Sequence, residues 1–329
     1  MIRAVKAIAA LVALAILAGA GWFAYAMLVD TSHPEATKDV IIARGSTFHD
    51  IAAQLAGAGI IGNETAFRVY AKMKRADTAA HAGEFRFSAH QTPAQVLAQL
   101  ESGGAQVAKW VTIPEGFTAK QIAQRLQEQG FGDARTFTQA FLHDSIVVGG
   151  TRTKNLEGFL FPSTYLIPNG ASAKNVEEML TAQMRKELPA DAARKAHARG
   201  LTVPQVVTLA SLIEREAKAD DERPLMAGVY YNRLRLGMPL EVDATIEYAL
   251  PEHHDVITYG DLKIDSPYNS YLHTGLPPTP IANPGQASLQ AAFNPKPSPY
   301  LYYVYKGNGH HAFARTLAEQ NANIAKYLK

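Results

Sequence analysis

The 329-residue sequence contains no cysteine, which excludes disulfide scaffolds, thiol nucleophiles, thiolate zinc sites and iron–sulfur clusters. It also lacks an excess of charge of either sign. Lys and Arg number 32 against 30 Asp and Glu, a formal charge of +2, too little for a nucleic-acid-binding face, so no nucleic-acid partner is expected. No H-E-x-x-H, G-x-S-x-G, P-loop or G-x-G-x-x-G pattern occurs, and the adjacent pairs His253-His254 and His310-His311 lack the i, i+4 spacing of a metal site. Neither a metal nor a nucleotide cofactor is therefore expected. Hydrophobic residues are plentiful, at 47%, enough for about two domains at roughly 100–200 residues each, and disorder is excluded as the main state.

Part of that hydrophobicity is concentrated at one end. After residues 1–6, which carry Arg3 and Lys6, the run 7–29 (AIAALVALAILAGAGWFAYAMLV) holds 23 residues without a charge. At 1.5 Å per residue it spans a hydrocarbon core of about 30 Å. Basic residues precede it and Asp30 follows, so a transmembrane helix with a cytoplasmic N-terminus and an exported body is expected. Ala18-Gly19-Ala20 and Ala24-Tyr25-Ala26 also fit a signal-peptide cleavage site, but the run is longer than an ordinary signal core and carries Trp22 and Tyr25 near its outer end. Either way the body lies outside the cytoplasm, away from ATP and NAD.

Residues 38–132 contain an internal repeat. Thr47, Thr92 and Thr118 are each followed four residues later by Ile51, Val96 or Ile122, and eight residues later by Leu55, Leu100 or Leu126. Each spacing predicts a capped helix with an apolar stripe. A short strand-like run precedes each: Val40 to Ile42, Phe85 to Phe87 and Trp110 to Ile113. At a constant offset of 71, Gly45 also matches Gly116, and Gly59 matches Gly130, the mark of duplicated strand–turn–helix units. Such units resemble the LysM-like modules that bind amino-sugar polymers; a small α+β spacer is the alternative. Phe48, Phe85, Phe87 and Trp110 are candidates for sugar contact or for core.

From residue 133 to 329 the pattern is mainly helical. Helices are expected over 172–188, 203–218, 224–236 and 317–328, with a strand at Tyr300 to Tyr305 and a long turn-rich loop over 266–285. In the helix VPQVVTLASLIEREAK, Val206, Leu209, Ile213 and Glu216 share one face, so an apolar stripe ends in a carboxylate. A glutamate in that place is desolvated, its pKa rises, and it can serve as a general acid. Glu214 lies about 200° away, on the face of Val207, Ala210 and Lys218. A simple ion pair remains the alternative for each, with Arg215, Lys218 or Arg223 for Glu216 and with Lys218, four residues on, for Glu214.

Four segments in order, LASLIEREA, VYYNRLRLGMPLEVDATIEYAL, SPYNSYLHTGLPPTPIANPG and YLYYVYKGNGHHAF, closely resemble the YceG-like (MltG) endolytic murein transglycosylases. The resemblance covers essentially the whole chain. It implies an α+β fold: an N-terminal transmembrane helix, LysM-like α/β units, and a mainly helical, lysozyme-like catalytic domain with a small sheet. It implies a bacterial inner-membrane lyase that cuts the β-1,4 bond between MurNAc and GlcNAc in peptidoglycan without water, leaving 1,6-anhydroMurNAc ends. Nascent glycan strands would be its substrate and cleavage would end their elongation; cell-wall synthases are expected as neighbours, with no residue behind that expectation. One glutamate of the E-[KR]-E motif is catalytic in the family. Glu216 is preferred over Glu214, although Ala217 stands where related enzymes carry a serine.

Asp243 is the second carboxylate should the chain instead hydrolyse, since ordinary glycosidases need two. Asn232, Thr245, Tyr268, Asn269 and Tyr271 are candidate polar contacts to the charged sugar. The motif Glu157 to Tyr165 (EGFLFPSTY) is expected to present Glu157 and Tyr165 to a sugar cleft, unless Glu157 caps a helix. His311 matches the family pattern as a further lining residue. A non-catalytic peptidoglycan-binding scaffold is the alternative to an enzyme.

Overall fold

The computed structural model describes residues 2–28, 37–104, 106–252 and 257–328. Val29 and Asp30, at the expected outer end of the membrane helix, and the pair His253-His254 lie outside the described residues. The chain is α+β and divides into two units, Met1–Val111 with Tyr165–Gly170, and Thr112–Thr164 with Ala171–Lys329.

The first unit begins with α1 (Ile2–Leu28), whose stretch Ile8–Leu28 has a mean hydropathy of 2.1, long and apolar enough to cross a membrane. Only its last turns are covered: Ala26 and Met27 pack, with Phe23, against Ala66 and Tyr70. Then follow β1 (Lys38–Ile42), α2 (Phe48–Gly57), α3 (Glu64–Lys74), β2 (Gly83–Phe87), α4 (Pro93–Ser102) and β3 (Gln106–Thr112). β1 pairs antiparallel with β2 and β2 with β3, while Thr164–Pro168 adds a fourth strand beside β3. Strand alternation turns Val40, Ile42, Phe85 and Phe87 inward, onto Ile51, Leu55, Val96 and Leu100 of the helices.

Thr47 and Thr92 cap α2 and α4 through reciprocal bonds with Asp50 and Gln95, and Thr118 caps the next helix, α5 (Ala119–Glu128), through Gln121. The turn glycines Gly45 and Gly116 share a left-handed φ, +80 and +76, which only glycine adopts cheaply. The aromatic candidates for sugar contact are mostly interior. Phe85 and Phe87 are fully buried, Phe48 stacks on Phe67, and the Trp110 indole donates to Ile42 O at 3.0 Å.

The second unit contains α5, α6 (Ala134–His143) and the hairpin β4 (Val147–Val148) to β5 (Thr151–Arg152). After the strand already described, now β6 (Thr164–Pro168), come α7 (Ala173–Glu187), α8 (Ala192–His197), α9 (Val203–Glu216), α10 (Arg223–Leu236), α11 (Asp243–Ala249) and α12 (Gln286–Phe293). The antiparallel hairpin β7 (Tyr302–Gly307) to β8 (His310–Ala314) and α13 (Leu317–Tyr327) complete it. Helix α9 is the centre. Val203, Val206, Val207, Leu209, Ala210, Leu212 and Ile213 are all buried, so it is apolar nearly all round rather than along one stripe. Both faces that end in a glutamate are therefore interior. Residue 217 ends α9 with φ −69 and ψ 126, so Lys218 lies beyond the helix and cannot make the expected i, i+4 pair with Glu214.

Removing the cap in Thr118→Ala is expected to cost about 1 kcal/mol, and Phe85→Ala about 3–5 kcal/mol. Chemical denaturation of the two variants should show this order.

Candidate active site

Glu216, the last residue of α9, is partly exposed, and burial of its carboxyl raises the pKa to about 7, with the nearby charge of Asp243 adding to the effect. The Tyr303 hydroxyl, the Lys218 charge and the Ala244 N–H act the other way. Tyr303 Oη, from β7, donates to Glu216 Oε2 at 3.1 Å and is bonded to Tyr230 Oη of α10 at 2.9 Å. A phenol has one proton, so with Tyr303 donating to the carboxylate, Tyr230 must donate to Tyr303. Burial and the Glu216 charge push both phenols well above their ordinary value, which keeps the two protons in place.

The basic neighbours are committed elsewhere. Arg215 Nη2 bonds Glu247 Oε2 at 2.8 Å, and Arg223 donates to Asp220 Oδ1 at 2.9 Å and to Ser288 Oγ at 2.5 Å. Glu216 has no salt bridge among the described residues, whereas Glu214 is held by Arg223 Nη1 at 3.5 Å and by Gly285 N at 3.0 Å. Glu214 thus has an anchoring partner, but Arg223 rather than the expected Lys218.

Asp243 opens α11 and is exposed; Tyr271 Oη donates to its Oδ1 at 2.5 Å. Beneath them lie two of the polar candidates. Thr245, fully buried, donates to Val242 O at 2.7 Å and meets Ser270 Oγ at 2.9 Å. Asn269, also fully buried, donates to Leu262 O and Ile264 O and accepts from Tyr271 N and Leu272 N. Both brace the loop that carries Tyr271 rather than offering a free polar atom. Tyr268 is tied to Thr279 Oγ1 at 2.7 Å. Asn232 donates to Ser298 O and Tyr300 O, bracing the approach to β7.

Glu157 is 1% exposed, and its environment is that of a cap. Its oxygens accept from Ala119 N at 2.9 and 3.1 Å, Asn283 Nδ2 at 3.1 Å and Tyr248 Oη at 3.2 Å. Burial lifts its pKa to about 7 despite these donors. The expected presentation of Glu157 to a cleft thus gives way to the helix-capping alternative, at the start of α5. Tyr165 is buried on β6 in the first unit. His311 is buried as well: its backbone N and Nδ1 donate to Glu222 at 2.9 and 3.0 Å, and its ring packs edge-on against Tyr303 and Tyr305.

The groups that motif reasoning missed are Tyr303, Tyr230, Glu222 and Asn283. Period-two alternation in YLYYVY places Tyr303 and Tyr305 on one face of β7, a signal that was available. Asn283 accepts from Leu160 N at 2.8 Å and donates from its side chain to Phe117 O at 2.9 Å, contacts with no local signature.

An acid of raised pKa at a helix end, without a salt bridge among the described residues and flanked by tyrosines and a second carboxylate, can do acid–base work on a polar substrate. The chain belongs to the YceG-like family, whose pattern it matches over residues 40–326. It is 34% identical over 309 residues to the endolytic murein transglycosylase of Bacillus subtilis (strain 168), covering 89% of this chain and 85% of that protein. It is 31% identical to the endolytic murein transglycosylase of Streptococcus pneumoniae (strain D39), where 97% of this chain covers 64% of the relative's length. A crystal structure of a YceG-like protein from Listeria monocytogenes matches with a TM-score of 0.63 at 30% identity, over 88% of this chain and 99% of that one.

Two outcomes test these assignments. Glu157→Ala leaves several buried donors unpaired and should cost about 3 kcal/mol or more in a denaturation experiment; a residue that served only substrate would leave stability unchanged. Tyr303→Phe removes a donor that favours the ionised carboxylate, so the midpoint followed by the carbon-13 shift of the Glu216 carboxyl should move upward from about 7, by roughly one pH unit.

Proposed function

We propose that the protein is a membrane-anchored endolytic lytic transglycosylase of peptidoglycan in which Glu216 is the acid and the base. The observation that carries this reading is the buried carboxyl of a partly exposed residue, its pKa raised to about 7, where one group can donate and then accept a proton. Tyr303 donates to Oε2, which leaves Oε1 to carry the proton. Glu216 protonates the glycosidic oxygen as the bond to MurNAc C1 breaks. The resulting carboxylate takes the proton from the MurNAc C6 hydroxyl, whose oxygen bonds C1. The product is a 1,6-anhydro end, the acid is restored and no water is consumed. Asp243, exposed beside the site, supplies negative charge to the oxocarbenium-like centre.

Residues 7–29 serve as the anchor, with the N-terminus cytoplasmic and the body facing the cell wall. Residues 38–132 act as LysM-like units and 133–329 as the lysozyme-like catalytic domain. The substrate is the nascent glycan strand, whose elongation cleavage ends, beside the synthases that extend it. The Coulomb coupling of Asp243 to Glu216 supports a second reading, hydrolysis with two carboxylates.

Digestion of purified sacculi by the detergent-solubilised full chain, with mass spectrometry of the products, distinguishes these readings. Anhydro ends support transglycosylation, reducing ends hydrolysis, and an uncut sacculus a binding scaffold. Glu216→Gln should fold normally and lower anhydro-end release by at least about 100-fold, whereas normal cleavage by that variant overturns the assignment. Because the acid form starts the reaction, kcat/KM should fall as pH rises through about 7.

A further inference from the structure

A cavity of about 1010 Å³ in the second unit does not include Glu216. It is bounded by the β4–β5 hairpin, the start of α9, the end of α10 and the Gly275 to Pro280 stretch. Its charged lining has one sign: Arg152, Lys154, Arg199 and Arg235 contribute to the wall, and no Asp or Glu does. Among the described residues none of the four is in an ion pair; Arg199 donates to Lys195 O at 2.8 Å and lies 5.4 Å from the Tyr231 ring centre, and Arg152 donates to Ser145 Oγ at 3.2 Å. Four cations without a counter-charge around a hollow of this size repel one another, and an anion entering it is favoured. The rest of the wall mixes prolines, leucines, Phe159 and Tyr231 with uncharged polar side chains such as Asn155, Gln205 and several threonines. That mixture suits an extended chain with apolar and polar parts and more than one carboxylate.

We propose that this cavity binds the carboxylate-bearing stem peptide of the glycan strand, so that the enzyme favours peptide-substituted over bare glycan; the proposal rests on the transglycosylase reading above. The placement fits. Thr208 of α9 lines the cavity, and eight residues further along the same helix, about 12 Å at 1.5 Å per residue, stands Glu216. On α10, Tyr231 faces the cavity, and its neighbour Tyr230 belongs to the Glu216 chain of hydroxyls. The loop that brings Tyr271 to Asp243 continues into Gly275 to Pro280 of the cavity wall. A strand lying across Glu216 therefore carries its peptides within reach of the arginines.

The test compares glycan strands bearing intact stem peptides with the same strands stripped by an N-acetylmuramyl-L-alanine amidase, using the detergent-solubilised full chain and counting new chain ends. The unmodified protein should prefer the peptide-bearing strands by about tenfold. Arg199→Glu with Arg235→Glu, both exposed positions, should bring that ratio close to one, and the corresponding double lysine variant should keep most of it. Equal cleavage of both strands by the unmodified protein, or a ratio unmoved by the charge reversal, overturns the proposal. Calorimetric titration of the Glu216→Gln chain with the synthetic tripeptide L-Ala-γ-D-Glu-meso-diaminopimelate gives a readout independent of cleavage. Binding that weakens about tenfold on charge reversal supports the cavity even if no strand is cut, in which case only the transglycosylase reading fails; absence of binding overturns the cavity assignment alone.

Discussion

The buried carboxyl of Glu157 is the constraint on which the second unit's loops depend. It takes the first N–H of α5, the side chain of Asn283 and the hydroxyl of Tyr248, so three segments distant in sequence meet at one acceptor. Asn283 then joins Leu160 N and Phe117 O to the same knot. Two residues on, Gly285 N holds Glu214, while Tyr248 packs on Tyr268 in the loop that carries Tyr271. Gly158 follows directly. Its φ of +84, and a Pro280 Cβ only 2.4 Å from where a side chain would start, leave no room for any other residue. Cutting the knot would release the walls around α9 before it touched the acid itself.

Glu157 and Glu216 show why a raised pKa does not by itself make an acid catalytic. Burial brings both to about 7. At Glu157 every approach is taken by a donor from the protein, and the side chain is sealed. At Glu216 one hydroxyl and one backbone N–H hold the group, and part of the residue remains open. A proton on Glu157 has nowhere to go, whereas the Glu216 carboxyl belongs to a residue with an open side, through which the proposed transfer would pass. Access, more than titration, separates the structural carboxyl of Glu157 from that of Glu216, the proposed acid.

What was legible in the sequence was local. The threonine caps of α2, α4 and α5 follow from spacings of four and eight residues, and the turn glycines from the repeat itself. Glu216 was nominated by its stripe, but α9 is buried almost all round, so the stripe did not distinguish it from Glu214. The partners did, and they lie far along the chain: Tyr303 is 87 residues from Glu216, and Asn283 is 126 from Glu157. No periodicity encodes such contacts. Several polar residues singled out by motif, Asn269, Thr245 and Asn232 among them, are braces beneath the surface, because dense motifs also mark loops that must be held rigid.

That rigidity has a consequence for how a polymer would be handled. Asn269 satisfies four backbone groups, two in its own loop and two in the turn just before it, and Tyr268 ties the loop's start to Thr279 near its far end. The segment between Glu216 and the basic cavity is thus a strap pinned within itself and, through Ser270 and Tyr271, to residues 241–245, and it has little freedom to lengthen. Helix α9 forms a second fixed rail between the same two places. On the proposed reading, two rails of set length would impose one spacing between the bond to be cut and a charged group further along the strand. A site built this way would measure its substrate by geometry, and would reject a strand whose charges fall out of step without any contact dedicated to refusing it.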